Sequence, residues 1–376
     1  MNHPPKPRAL EFFAGGGLAR LGLAAHFDIV WANDNNPAKA AAYTAHFGAT
    51  EFQLGDVNCV DAVTLPKADF AWASFPCQDL SLAGGRAGLD AKRSGSFYGF
   101  VTVIKGLQAL GRAPKVLVIE NVIGLLSSHG GQDFCAVMQA LADLGYRAGA
   151  VEIDASHFVP QSRPRVFIIA CADGHPIPPA LRTGGPVPSV FITPAILKAW
   201  AHLPDHLHAA FIWWVVPAPA ARTVALKDII DVSDQNWWPQ SKTQALIDSL
   251  GPRHRQKLAQ AQSDGTAQIG AIYRRTRTKN GVTQPFAEVR FDGVAGCLRT
   301  PSGGSSRQFL LFVHGAAVHA RALNAREAMR LMGACDAYAI PNSAAAGLRI
   351  AGDGVAVPVV AWLSTHVLAS LVGIRG

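Results

Sequence analysis

The chain lacks any pair of cysteines spaced as CxxC, although it has six cysteines among its 376 residues. A zinc site or a dithiol redox motif is therefore not expected, and no metal is predicted. A chain of this length with 49% hydrophobic residues can bury a core without disulfides. The cysteines are therefore expected to be thiols in a reducing cytoplasm.

Targeting signals and long hydrophobic runs are also scarce. The first ten residues, MNHPPKPRAL, lack the apolar core of a signal peptide. Val355–Val372 resembles a membrane span, but it contains Pro358 and several polar side chains and barely reaches the necessary length. We interpret it as a buried helix beginning at Pro358, because proline suits a first helical turn. We expect a cytoplasmic protein with no membrane partner.

Charged residues make up only 16% of the chain, yet the balance is basic, with a formal net charge of +8. Most of the excess lies in residues 173–317, which contain 15 Lys and Arg against 9 Asp and Glu. Such a balance favours a polyanionic partner.

Strand-like and helix-like segments alternate through the first 171 residues, which predicts an α/β fold with a doubly wound, mostly parallel sheet. The predicted strands are Arg8–Phe13, Phe27–Ala32, a short one within Glu51–Asp56, Ala68–Phe75 and Lys115–Glu120, followed by a hairpin of Arg147–Ile153 and Arg165–Cys171. The predicted helices are Leu18–His26, Pro37–Phe47, Gly99–Leu110 and Phe134–Leu144.

The pattern changes after Cys171. Residues 172–194 hold six prolines and three glycines, which is typical of a linker or irregular loop. The region beyond is rich in tryptophan and poorly periodic, and regular patterning returns near Val318, with an amphipathic segment at Asn324–Met332. We predict a catalytic and cofactor-binding domain at 1–172, completed by 318–376, with a smaller domain inserted at 173–317.

Cys77 is the first candidate for chemistry. The apolar run Phe70–Phe75 predicts a buried strand, and Pro76 cannot continue a central strand. Cys77 is therefore expected on the loop at the carboxyl end of the strand, where open parallel sheets gather their active sites. A thiol there is a candidate nucleophile, and a small buried hydrophobe is the alternative.

Three further loops follow predicted strands. Phe13-Ala14-Gly15-Gly16-Gly17 opens a helix, and its glycines would let a ligand approach the backbone, although a plain tight turn is an alternative. Asp34 is placed to accept hydrogen bonds from ribose hydroxyls and Asp56 to contact an adenine amino group, with a helix cap or solvated turn as the alternative for each. Together these loops would hold an adenosine-bearing cofactor.

Glu120 follows the fifth predicted strand and is expected beside Cys77. A thiol can add to an electron-poor ring while a protonated carboxylic acid donates to a ring nitrogen. Arg163 and Arg165 alternate before the next strand, so one is expected to face the pocket and the other a phosphate or the protein. A solvated carboxylate and solvated arginines are the alternatives.

In their order along the chain, these segments resemble the motifs of the DNA cytosine-5 methyltransferase family. The matching motifs are FAGxG at 13–17, PCQ at 76–78, ENV at 120–122 and QxRxR at 161–165. Arg321–Gly333 and Ala351–Val360 resemble the family's ninth and tenth motifs. The resemblance covers about residues 8–171 and 318–372, and only AGCLRTPSGG looks family-like within 173–317.

The resemblance implies a DNA methyltransferase with S-adenosylmethionine as cofactor and double-stranded DNA as partner. It assigns catalysis to Cys77 as nucleophile, to Glu120 at cytosine N3, to Arg165 near the cytosine O2, and to Arg163. The cofactor residues are Phe13, Ala14, Gly15, Gly16, Gly17, Asp34, Asn35, Asp56, Val57, Pro76, Asp353 and Val355. The inserted region would be the DNA-recognition domain. We select as DNA contacts Ser81, which precedes this region, and within it Arg274, Arg275, Arg277, Arg299, Gly303 and Gly304.

Several positions depart from the family pattern. Ser74 stands where a glycine is usual, Glu11 replaces a common Asp, and Leu18 follows the glycines where another glycine is frequent. Asp353-Gly354 replaces the usual Asn-Ser or Asn-Ala of the tenth motif, which puts that cofactor contact in doubt. No residue required for the covalent chemistry is missing, so we expect an active enzyme.

Three other functions remain open. The branch of the same fold that methylates tRNA carries a Cys-Phe-Thr element, which is absent here. A catalytically silent nucleic-acid-binding module is disfavoured by the intact Cys77 and Glu120. A nicotinamide-dependent oxidoreductase is disfavoured because the glycines lack dinucleotide spacing. We expect a monomer that acts on a short specific site, with a restriction endonuclease as a candidate partner.

Overall fold

The computed structural model describes residues 5–76, 95–187, 189–279, 282–300 and 307–373, without the side chains of residues 275–279 and 282–285. The chain divides into two compact units. Unit 1 comprises residues 1–153, 164–219 and 359–376, and unit 2 comprises residues 154–163 and 220–358.

Unit 1 is built on a sheet whose described strands lie in the order β3-β2-β1-β4-β5-β7-β6. The strands are β1 Arg8–Phe12, β2 Asp28–Asp34, β3 Phe52–Leu54, β4 Phe70–Ala73, β5 Val116–Val122, β6 Tyr146–Asp154 and β7 Pro164–Ala172. The first five strands in this order run parallel, and β7 is antiparallel to β5. The strands β4 and β5 are fully apolar and buried where they pair, as expected for parallel strands covered on both faces.

Helices connect these strands: α1 Leu18–Leu23, α2 Pro37–Phe47, α3 Ser96–Ala109 and α4 Gln132–Asp143. The Asn36 side chain caps the start of α2 by accepting from the amides of Ala38 and Lys39, and Pro37 occupies the first turn. The doubly wound, mostly parallel fold predicted from the sequence is confirmed. Its switch point lies between β1 and β4, where the order of the strands reverses.

Residues 173–219 belong to unit 1, although the sequence predicts that the inserted domain begins at 173. The described elements here are β8 Arg182–Thr183, α5 Pro194–Ala201, α6 Asp205–Ala210 and β9 Trp213–Trp214. The amide of Ile212 donates to the carbonyl of Ala148 in β6 at 2.9 Å. Trp213 and Trp214 are buried within this unit.

Unit 2 contains an antiparallel sheet in the order β11-β10-β12-β13. Its elements are α7 Leu226–Ile229, α8 Gln240–Asp248, α9 Pro252–Ser263, β10 Gln268–Lys279, β11 Val282–Arg290, β12 Gln308–His314, β13 Ala317–Ala322, α10 Ala325–Leu331 and α11 Ala344–Asp353. Apolar residues of α8 and α9 pack with alternate residues of the sheet, including Leu246, Leu258, Ile272 and Leu311.

The C-terminal helices are α12 Val357–Leu363 and α13 Ala369–Leu371, which are joined by a π-helical turn at Ser364–Leu368. By length and composition alone, the described run Ala344–Leu371 could cross a membrane. Its most apolar window is 56% buried within the structure, and core helices pass the same test. Val359, Val360 and Leu363 are buried, in agreement with the predicted core helix.

Candidate active site

The loop after β1 places glycines at the switch point of the sheet. Phe13, Gly15 and Gly17 all have positive φ angles, at 58°, 57° and 78°. A Cβ on Gly17 would meet the rings of Tyr43 and Phe47, so only glycine fits there. A Cβ on Gly15 would meet no atom of the described residues within 4 Å, so the backbone borders open space among them. This loop can therefore receive a ligand at the backbone of Gly15.

Asp34 anchors the glycine loop. It is the last residue of β2 and is 5% exposed. Its Oδ2 accepts from the Gly15 amide at 2.9 Å, and its Oδ1 accepts from the Asn36 amide at 2.8 Å. Each carboxylate oxygen keeps further acceptor capacity, because a carboxylate offers about four lone-pair sites. The residue predicted to bind ribose hydroxyls thus also fixes the loop predicted to hold the cofactor.

The remaining cofactor candidates of unit 1 occupy neighbouring loops. Asn35 and Asp56 are exposed, and Val57 is buried. Asp56 caps a 3-10 turn by accepting from the amide and side chain of Asn58. Pro76 is exposed and directly follows the buried Phe75. The alternative role of a cap is therefore observed for Asp56, and it leaves the carboxylate accessible.

Glu120 and Arg165 form a nearly buried ion pair at the end of β5. The Arg165 Nε lies 3.1 Å from Glu120 Oε1, and the two side chains are 13% and 8% exposed. The pairing follows from sheet register, because Arg165 is opposite Val122 and Phe167 is opposite Glu120. Two residues assigned to the target base thus lie together.

Asn121 links this pair to the end of β4. Its Nδ2 donates to the carbonyl of Phe75 at 3.0 Å, and it is 3% exposed. Phe75 is two residues before Cys77, which lies outside the described residues, as does Ser81. The hydrogen bond therefore ties the residue after Glu120 to Phe75, just beyond the end of β4. The ENV motif contains Asn121, but the sequence alone indicates no role for it.

A buried carboxyl group lies beneath the glycine loop. Glu11 of β1 is fully buried, accepts from the Arg20 amide at 3.2 Å, and accepts from the Tyr43 hydroxyl at 3.3 Å. Burial raises the pKa of Glu11 to about 8, although nearby Arg20 opposes that shift. In the sequence, Glu11 stands out only because it replaces a common aspartate. The apolar residues around it in the strand are the only feature that could have predicted its burial.

Arg163 differs from Arg165 in its surroundings. It lies in unit 2, is 1% exposed, and donates to the carbonyls of Leu298, Gly352 and Gly354. The sequence groups it with the catalytic residues, whereas the structure surrounds its guanidinium with backbone carbonyls. Arg163 is the arginine that faces the protein, and Arg165 is the one that pairs with Glu120.

The other unit 2 candidates have mixed surroundings. Asp353 is exposed and accepts a hydrogen bond from the Thr300 hydroxyl, and Val355 is 5% exposed. Arg274 is half-buried, with its guanidinium carbon 5.0 Å from the centre of the Phe309 ring. Arg299 is exposed. The side chains of Arg275 and Arg277, and all of Gly303 and Gly304, lie outside the described residues.

Comparison with known proteins gives the family. The sequence profile of C-5 cytosine-specific DNA methylases matches residues 8–368. The type II methyltransferase M.MspI of Moraxella sp. is 32% identical over 43% of this chain and 38% of its own length. M.NlaX of Neisseria lactamica is 24% identical over 97% of each chain. The match to M.MspI and several other relatives thus spans only about half or less of their length.

Solved structures support the fold. The Dnmt2 methyltransferase of S. pombe superposes with a TM-score of 0.57 at 16% identity, over 97% of this chain and 98% of its own. The Entamoeba histolytica methyltransferase EhMeth gives a TM-score of 0.61 at 13% identity, over 98% of each chain. These similarities confirm the predicted methyltransferase fold. With the profile match across nearly the whole sequence, they show that the chain belongs to the C-5 cytosine-specific DNA methylase family.

Proposed function

We propose that this protein transfers a methyl group from S-adenosylmethionine to C5 of a cytosine in a specific site of duplex DNA. The observation that carries the proposal is the Glu120–Arg165 pair, at 3.1 Å, beside the strand end that leads into Pro76-Cys77. This pair supports the proposal because its carboxyl and guanidinium groups are those expected to bind the target base, and the chain continues from the neighbouring strand end to Cys77, the expected nucleophile.

The glycine loop of unit 1 fits the implied cofactor. The space beside Gly15, the remaining acceptor capacity of the buried Asp34 carboxylate and the exposed carboxylate of Asp56 suit a nucleoside with ribose hydroxyls and an adenine amino group. Phe13, Val57 and Pro76 would supply apolar contacts, and the resemblance adds Asp353 and Val355. When bound, S-adenosylmethionine supplies an electrophilic methyl group on a sulfonium centre.

Cys77 would begin the reaction, because C5 of cytosine is by itself a poor nucleophile. The Cys77 thiolate adds to C6, and Glu120 provides the proton that the ring nitrogen N3 takes up. The ring would then resemble an enamine, whose C5 could take up the methyl group that the bound cofactor would supply, with S-adenosylhomocysteine as the leaving product. A base would then remove the C5 proton, the bond between C6 and sulfur would break to restore the thiolate, and N3 would return its proton to Glu120.

Arg165 would hold the target base at its O2 and keep the Glu120 carboxyl in place. A guanidinium is suited to this task because it stays charged and has several donors in a fixed plane. None of these groups can reach a base within the duplex stack, so the target cytosine must be flipped out into the pocket. The residues of 173–317 would select the site, and a restriction endonuclease with the same specificity is the proposed partner.

Bisulfite sequencing tests this proposal and identifies the target. Genomic DNA from cells that express the protein should show full protection of one cytosine within one short sequence, and DNA from cells that express Cys77→Ala should show none. Bisulfite sequencing of tRNA from the same cells distinguishes DNA from tRNA, the alternative substrate. Protection confined to tRNA would overturn the DNA assignment, and no protection in either pool would leave a silent binding module.

A further inference from the structure

Arg163 joins two backbone segments of unit 2, here called segment A (residues 295–300) and segment B (residues 352–355). Its Nη1 donates to the Leu298 carbonyl in segment A at 2.7 Å. Its Nη2 donates to the carbonyls of Gly352 and Gly354 in segment B at 2.9 and 2.6 Å. One buried cation therefore bridges both segments.

Gln161 holds segment A from the same turn. It is fully buried, and its Oε1 accepts from the Leu298 amide at 3.0 Å. Its Nε2 donates to the Leu331 carbonyl at 2.8 Å. Because Arg163 also binds the Leu298 carbonyl, the amide and the carbonyl of Leu298 are both held by side chains of the QxR sequence.

The end of α11 explains why a cation is stable here. The last carbonyls of a helix lack partners within the helix and carry partial negative charge. Gly352 and Gly354 lie at this end, and the Arg163 guanidinium satisfies their carbonyls. A buried charge needs such partners, so the guanidinium and the two segments stabilise one another.

The two segments also contact each other directly. A Cβ on Gly352 would lie 2.5 Å from the carbonyl carbon of Arg299 and 2.6 Å from the Thr300 nitrogen, so glycine is required for this approach. The Thr300 hydroxyl donates to Asp353. A displacement of segment B would therefore also displace segment A.

We propose that Arg163 is a positioning residue that couples cofactor binding to DNA binding by joining segments A and B. The inference rests on the proposed function, with Asp353 and Val355 at the cofactor and Arg299, a DNA contact expected from the sequence, at the DNA. Ligand that orders one segment orders the other through Arg163. By thermodynamic linkage the effect is reciprocal, so DNA tightens cofactor binding by the factor with which cofactor tightens DNA binding.

The test measures this coupling factor by calorimetry. S-adenosylhomocysteine is titrated into the full chain, with and without a duplex that carries the site found by bisulfite sequencing. Arg163→Lys keeps the charge but puts a single ammonium in place of the two nitrogens that bond separately to segments A and B, and Thr300→Val removes only the side-chain link. Arg222→Lys is the matched control, because Arg222 is a half-buried arginine of unit 2 that binds the carbonyls of Ser156 and Val224.

We expect a wild-type coupling factor of about 5 to 150, the usual range for such effects. It should fall at least about threefold in Thr300→Val and Arg163→Lys and stay unchanged in Arg222→Lys. If Arg163→Lys does not fold, Thr300→Val decides. An unchanged factor in a folded Arg163→Lys or in Thr300→Val, an equal fall in Arg222→Lys, or a wild-type factor of one would overturn the inference. Wild-type protein that binds neither ligand would instead contradict the proposed function.

Discussion

At the scale of the residue, the Glu120–Arg165 pair holds a carboxyl oxygen 3.1 Å from a guanidinium nitrogen. Both side chains are nearly buried, so their geometry is set by β5 and β7 rather than by solvent. The presence of the ENV and QxRxR motifs in the sequence does not by itself predict that Glu120 and Arg165 form an ion pair. It arises because antiparallel register brings the two strand ends together.

Glu120→Gln should lower the rate of methyl transfer by about a hundredfold or more, in the range of losses for general acid catalysis. DNA binding should persist, since the amide retains the shape of the carboxyl group. Single-turnover transfer of a labelled methyl group and a DNA-binding titration measure the two effects. Glu152→Gln is the control, because Glu152 is a half-buried carboxylate of unit 1 bound to Thr193. Equal rates in both variants would remove Glu120 from the reaction.

Glu11 gives stability a dependence on pH. Its pKa rises from about 4.5 in the unfolded chain to about 8 in the folded protein because of burial. The folded state therefore binds the extra proton between these values, so this contribution is complete below pH 4.5 and declines as pH rises to 8. Relative to wild type, Glu11→Gln should gain stability across that window, by at most about 1.4 kcal/mol per pH unit. Urea denaturation of both proteins at pH 5, 7 and 9 checks this. A difference in the free energy of unfolding between Glu11→Gln and wild type that is the same at all three pH values would contradict it.

At the scale of the element, the strands β2, β4 and β5 could be predicted from the sequence because each is built on an apolar run. The strand β1 begins at Arg8 and α2 spans Pro37–Phe47, as predicted. The four-stranded sheet of unit 2 was not predicted, because Arg274 and the other charged residues of β10 obscure its alternation. The packing of residues 173–219 within unit 1 depends on long-range contacts that no local pattern shows.

Gly149→Ala tests that packing. A Cβ at this position of β6 would lie 1.8 Å from the Ile212 carbonyl oxygen, which must move. We expect a loss of about 1–3 kcal/mol in the free energy of unfolding, as for other overpacked sites. Gly184→Ala is the control, because a Cβ there meets nothing within 4 Å and the residue has no positive φ. Equal stability of the two variants, measured by denaturant titration, would show that residues 212–214 do not pack on β6 in this way.

At the scale of the whole molecule, the basic balance and the motif order predicted a DNA-modifying protein, and family membership is confirmed. The predicted boundaries at 172 and 318 differ from those of the compact units, which place 173–219 in unit 1 and 318–358 in unit 2. Which residues read the DNA sequence stays a prediction. Bases are contacted by side chains on the protein surface. Core packing does not restrict which residues occur there, so the sequence carries no hydrophobic pattern that identifies them.

The basic cluster of Arg274, Arg275 and Arg277 should contribute to the salt dependence of DNA binding. Replacing Arg274 and Arg275 with alanine should weaken binding and reduce the slope of log affinity against log salt by about 1 to 2, since each arginine that neutralises a phosphate contributes about 1. Arg290→Ala is the matched control, because Arg290 lies on the neighbouring strand and is paired with Asp292 at 2.7 Å. A slope unchanged from wild type would place the cluster outside the interface.

Covalent trapping tests the central claim most directly. Duplex DNA with 5-fluorocytosine at the target position should form a complex with the protein and S-adenosylmethionine that survives denaturation, because the fluorine cannot leave as the C5 proton does. Mass spectrometry of the digested complex should find the nucleotide on Cys77, and Cys77→Ser should form no complex. Methylation of ordinary cytosine at the same site without any trapped complex, or a nucleotide attached elsewhere, would contradict the account.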